Sequence, residues 1–113
     1  MKKKASLTTS KKRVVKESTI VNKIIKYLGT VPECFSWKEH GGMYGKGGIP
    51  DIICCLHGFF LAFEVKRPGI KKASELQQAV INKINTAKGK AFLVNSVEEV
   101  KEVIESFGRK GES

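Results

Sequence analysis

Gly47-Gly48-Ile49-Pro50-Asp51-Ile52-Ile53-Cys54-Cys55-Leu56-His57-Gly58-Phe59-Phe60-Leu61-Ala62-Phe63-Glu64-Val65-Lys66 is the stretch that decides the fold. Two apolar runs, 52–56 and 59–66, flank the dipeptide His57-Gly58. Short runs rich in Ile, Leu, Val and Phe, joined by two residues ending in glycine, predict a β-hairpin. In a strand, side chains two apart share a face. Leu61, Phe63 and Val65 therefore point to one side, the expected core, and Glu64 and Lys66 to the other. Asp51 stands just ahead of the first strand, directly after a proline, so the hairpin carries it towards Glu64.

Working outward, helical signals bracket this hairpin. Ile20, Val21, Ile24, Ile25 and Leu28 recur at helical spacing, and the pattern predicts a helix over 14–28 that Gly29 ends. Glu17 falls on or beside that apolar face, a costly place for a carboxylate without a partner. Residues 33–37 read as a short strand and 41–48 as a glycine-rich loop. After the hairpin, Ser74 is placed to cap a helix over 74–88 whose apolar face is Leu76, Val80, Ile81 and Ile84. A strand over 91–95 follows. Ser96 then caps a last helix, 97–107, with Val97, Val100, Val103, Ile104 and Phe107 facing inward. The order α-β-β-β-α-β-α predicts an α/β sandwich around a mixed sheet flanked by helices.

Bulk properties narrow the function. The chain has 113 residues, enough for one domain and one core. No apolar run is long enough to span a bilayer, and no apolar stretch follows the basic N-terminus, so a cytoplasmic protein is expected, without a membrane partner. The net charge of +10 favours a polyanionic partner, either nucleic acid or an acidic membrane surface. Residues 1–13 hold six of the 21 basic side chains and no acidic ones, leaving 15 basic against 11 acidic in the rest. The organisation expected is a flexible basic tail, 1–13, and a single domain, 14–113. Lys11, Lys12 and Arg13 of the tail are candidate phosphate contacts, as are Lys46, Lys71 and Lys72; a solvated end or turn explains the same residues.

Three cysteines, Cys34, Cys54 and Cys55, form no disulfide or zinc pattern. The glycine loop is not a phosphate loop: three residues separate Gly41 from Gly45-Lys46, and Gly47 stands where Ser or Thr is required. No nucleotide cofactor is therefore expected. His40 and Tyr44 in that loop are minor candidates for positioning DNA, and Trp37 is expected to pack.

Asp51, Glu64 and Lys66 carry the chemistry. Two carboxylates brought close repel, and a divalent cation between them relieves the repulsion; hard oxygen ligands suit Mg²⁺ or Mn²⁺. A lysine beside the cation can hold an attacking water or stabilise a crowded phosphate. That is the minimum for hydrolysing a phosphodiester. Each feature alone also fits a blander role, since Pro-Asp opens turns and Glu-x-Lys ends many surface strands.

From Glu17 to Val103 the chain resembles the VRR-NUC family, a branch of the PD-(D/E)xK nuclease superfamily. The resemblance rests on Lys16-Glu17-Ser18, Gly47-Gly48-Ile49-Pro50-Asp51, Phe63-Glu64-Val65-Lys66-Arg67-Pro68-Gly69 and Ser74-Glu75-Leu76-Gln77, with the closing stretch Lys90 to Val100. It implies a restriction-endonuclease-like α/β sandwich and a Mg²⁺- or Mn²⁺-dependent DNA endonuclease. Asp51, Glu64 and the Val65 carbonyl would be metal ligands, and Glu17 a ligand directly or through water. Lys66 would be the catalytic lysine, and Gln77, favoured over Gln78, would orient water or phosphate. The resemblance further implies branched DNA such as four-way junctions as substrate, and a homodimer. Two other readings stay open: a non-catalytic nucleic-acid binder on the same fold, and a restriction-type or exo-acting nuclease.

Overall fold

The hairpin forms as β2 (Ile52–Leu56) and β3 (Phe59–Val65), joined by His57 and Gly58, whose φ values of 52° and 89° are those of a type I′ turn. A computed structural model describes residues 15–39 and 47–108 of the chain. The basic segment 1–13, with Lys11, Lys12 and Arg13, and the loop residues His40, Tyr44 and Lys46 lie outside the described residues.

The remaining elements follow the expected order: α1 (Glu17–Leu28), β1 (Cys34–Lys38), α2 (Glu75–Thr86), β4 (Lys90–Val94) and α3 (Val97–Gly108). The sheet runs β1-β2-β3-β4. The first two pairings are antiparallel and β3–β4 is parallel, with α2 as the crossover. Ser74 caps α2 through a capping box, with its hydroxyl accepting from the Gln77 amide and Gln77 Oε1 accepting from the Ser74 amide. The Ser96 hydroxyl accepts from the Glu99 amide and caps α3.

One face of the sheet holds the main core. Ile24 and Leu28 of α1 and Val100 and Ile104 of α3 pack there on Ile52, Leu56, Leu61, Phe63 and Val65. Phe63 is fully buried and stacks on Phe92 with ring centroids 5.8 Å apart. Cys54 lies in the same layer, 3.3 Å from Cys34 by sulfur positions, and burial pushes its thiol well above the usual range. The opposite face is also covered, by α2, in a thin layer of Ile53, Ala62, Ala73, Ile81 and Ala91. Glu64 thus points into a covered layer and not to open solvent.

That second layer departs from the periodicity. Of the four residues expected on the apolar face of α2, Ile81 is buried, whereas Leu76 is 58% exposed. The helix packs chiefly on β4, and the alanines beneath it let it lie close, so its flank overhangs the sheet. Phe60, Val80, Ile84 and Gly89 line an open apolar groove of about 330 Å³ on that flank. Beyond it, Phe35 and Trp37 on β1 form an exposed tilted pair 5.6 Å apart. Trp37 is therefore a surface residue, its indole Nε1 donating to Glu39 at 3.1 Å.

Gly48 fixes how the chain enters β2. Its φ is +81°, and an added Cβ would lie 2.8 Å from Leu76 Cγ and 2.9 Å from the Leu76 carbonyl oxygen. A backbone oxygen cannot swing aside. Gly48→Ala is expected to lower stability by about 2–4 kcal/mol, strain and overpacking together. Gly58 has a similar φ but open space around it, so Gly58→Ala is expected to cost only about 1 kcal/mol. Equal midpoint losses in urea would show that packing at Gly48 is not the cause.

Candidate active site

The two-residue turn dictates the centre of the site. The register pairs Ile52 with Phe63; carried one step further, it sets Asp51 opposite Glu64. Both then fall on the α2 side of the sheet, with Ile53 and Ala62. Asp51 is held at both ends: its carbonyl accepts from the Glu39 amide at 2.7 Å, and its Oδ2 accepts from the Val65 amide at 2.7 Å. Glu64 is only 3% exposed. Its Oε2 accepts from Gln77 Nε2 at 2.9 Å and lies 3.8 Å from Lys66 Nζ.

Gln77 links local and tertiary structure. Its Oε1 is fixed by the capping box, which leaves the Nε2 free to reach Glu64. Gln78 bonds instead to Asn82, one turn along the exposed side of the helix.

Electrostatics mark the carboxylate pair. Burial pushes the Glu64 carboxyl up to about 7, helped by the charges of Asp51 and Glu17 and opposed by Lys66. The Asp51 carboxyl is raised as well, again by burial first, against the lowering hydrogen bond from Val65. Each of the two carboxyls acts on the titration of the other. Two acceptor groups short of compensating charge fit a hard divalent cation by donor chemistry. Glu17, exposed in the first turn of α1, acts on both by its charge. Among the described residues, however, no three His, Cys, Asp or Glu side chains gather into one ligand group.

The other candidates are placed differently. Lys72 is exposed ahead of α2. Lys71 is committed elsewhere: its Nζ donates to Asn95 Oδ1 at 2.8 Å. Spacing and composition do not single out Asn95. It is a buried polar side chain directly after β4, and its Nδ2 donates to the carbonyls of Lys66, Arg67 and Ile70 at 3.1, 3.1 and 2.9 Å. The signal in the sequence was slight, an asparagine at the end of a core strand next to a helix cap.

No family model and no curated protein matches the chain. Solved structures do. One described as "VRR_NUC domain" matches with a TM-score of 0.66 at 21% identity, over 79% of this chain and 94% of its own. Another, "VRR_NUC domain protein", matches with a TM-score of 0.66 at 18% identity, over 82% of this chain and 88% of its own. Among the described residues no helix is long and apolar enough to cross a membrane. The chain has the fold of these VRR_NUC domain structures, a mixed sheet between helices with Asp51, Glu64, Lys66 and Gln77 gathered where β2 begins and β3 ends.

Proposed function

We propose that the chain is a VRR-NUC family member and a Mg²⁺- or Mn²⁺-dependent DNA endonuclease that acts on branched DNA, four-way junctions included. The observation that carries this reading is the Asp51–Glu64 carboxylate pair, Asp51 half-buried and Glu64 buried, with Lys66 Nζ 3.8 Å from Glu64, on a fold shared with VRR_NUC domains. A surface built only to bind a polyanion gains nothing from clustered carboxylates.

Asp51 and Glu64 would hold the cation, with the Val65 carbonyl as a further donor and Glu17 reaching it through water. When bound, a divalent cation supplies Lewis-acid polarisation of the scissile phosphate. The chain's own groups do the rest. The Val65 amide fixes one Asp51 oxygen, and the Gln77 amide fixes one Glu64 oxygen. Lys66 holds the attacking water or offsets charge building on the phosphate. Lys46 and Lys72 are proposed to meet backbone phosphates, together with Lys11, Lys12 and Arg13.

Paired cuts in a four-way junction need two sites related like its strands, which a two-fold homodimer provides. The exposed aromatics Phe35, Trp37 and Phe60 support such an interface. Phe59 is less suited, since it packs edge-on against Phe107 at 5.3 Å. The test is cleavage of single strands, duplexes, flaps and four-way junctions, with and without Mg²⁺, alongside light scattering. Paired junction cuts and about twice the 12.5 kDa chain mass are expected. DNA that is bound and never cut would point to the non-catalytic reading, and a monomer making paired cuts would remove the dimer.

A further inference from the structure

We infer that Asn95 is a positioning residue for Lys66, acting by clamping the backbone that carries this lysine. The inference rests on the nuclease reading above and adds to it a residue with no contact to the carboxylates.

The argument starts from topology. Val65 and Val94 are partners at the ends of the parallel strands β3 and β4. Lys66 and Asn95 follow them directly, and the Lys66 amide still donates to the Val94 carbonyl at 2.9 Å. Past that bond β3 stops, and the chain turns through Arg67-Pro68-Gly69-Ile70, closed by the Ile70 amide donating to the Arg67 carbonyl at 3.0 Å. Gly69 has φ of +93°, as a turn with proline before it requires. This turn has no sheet neighbour to hold it. Its carbonyls at 66, 67 and 70 instead converge on one amide group, the Asn95 Nδ2.

Two further bonds hold the asparagine itself. Its backbone amide donates to Glu99 Oε1 at 2.6 Å, in the first turn of α3. Its Oδ1 accepts from Lys71 Nζ. Asn95 is 8% exposed, so water competes poorly for these bonds. A fully bonded buried amide of this kind ties the end of β3 to α3. It thereby limits how far the Lys66 stem can move from Glu64. The same bond gives Lys71 a role other than phosphate contact.

The decisive variant is Asn95→Asp, which keeps the shape but turns the donor towards three carbonyls into an acceptor. On a DNA substrate that the wild type cuts, kcat is expected to fall about 10–100-fold with KM within about twofold. In a Lys66→Ala background the same change is expected to cost less than about twofold, since nothing is left to position. A merely structural role would give losses that multiply in the two backgrounds, and that result overturns the inference. Should Asn95→Asp fail to fold, Lys71→Met decides: a lower kcat at unchanged KM supports the clamp, whereas a raised KM at unchanged kcat makes Lys71 a DNA contact and overturns it. A wild type that cuts no DNA in any divalent cation defeats the nuclease reading itself, and with it the inference. Multiplying losses in an active enzyme defeat the inference alone.

Discussion

Glu64→Ala is expected to reduce DNA cleavage by on the order of 10³-fold or more, because a ligand to the cation contributes several kcal/mol to transition-state charge stabilisation and each 1.36 kcal/mol is tenfold in rate. Asp51→Ala should do the same, since Asp51 faces Glu64 across the hairpin and is oriented by the Val65 amide. DNA binding should be unchanged or tighter in both variants, as each removes a negative charge from a surface that meets phosphates. Gln77→Ala is the milder counterpart. It leaves both carboxylates in place but frees Glu64 Oε2 from its 2.9 Å bond, and about a 10–100-fold loss is expected. Single-turnover rates with a filter-binding control separate the two effects. Cleavage that persists in excess EDTA would sink the cation mechanism altogether.

The carboxylate pair also predicts an unusual pH dependence of stability. Glu64 is raised from its ordinary 4.5 to about 7, by burial first and then by the charge of Asp51. A carboxyl whose folded value lies above its unfolded one favours the folded state most while protonated. Its contribution is complete below about 4.5 and is lost as pH rises through about 7, an effect on the order of 3 kcal/mol. Asp51 is raised too and acts in the same direction. In EDTA, melting is therefore expected to fall by on the order of 10 °C between pH 5.5 and 8.5. Mg²⁺ or Mn²⁺ should reverse the fall at pH 8.5 and matter little at pH 5.5, because only the ionised pair binds a cation. Glu64→Gln should flatten the profile and remove most of the cation effect. A flat wild-type profile, or an equal slope in Glu64→Gln, would show that this pair does not control it.

Sequence by itself determined the hairpin and, through it, the centre of the site. A two-residue turn at His57-Gly58 leaves one register for the flanking strands, so the meeting of Asp51 with Glu64 is a local consequence. The helices were legible for the same reason, since apolar spacing and Ser74 and Ser96 as caps are local signals. Only tertiary structure decided the rest. Helical periodicity gives α2 an apolar face, but the small alanines of β3 and β4 decided that the helix would lie close and leave Leu76 and Phe60 outside. Burial of Glu64, and with it the raised carboxyl, required that helix to be docked. Whether the Glu17 charge is felt at the pair depends on how α1 crosses the sheet, which spacing within one helix does not contain. Asn95 is the clearest case. Its partners lie 25 to 29 residues away and are backbone carbonyls, which have no residue type to recognise. Parallel pairing of β3 with β4 alone brings them to it.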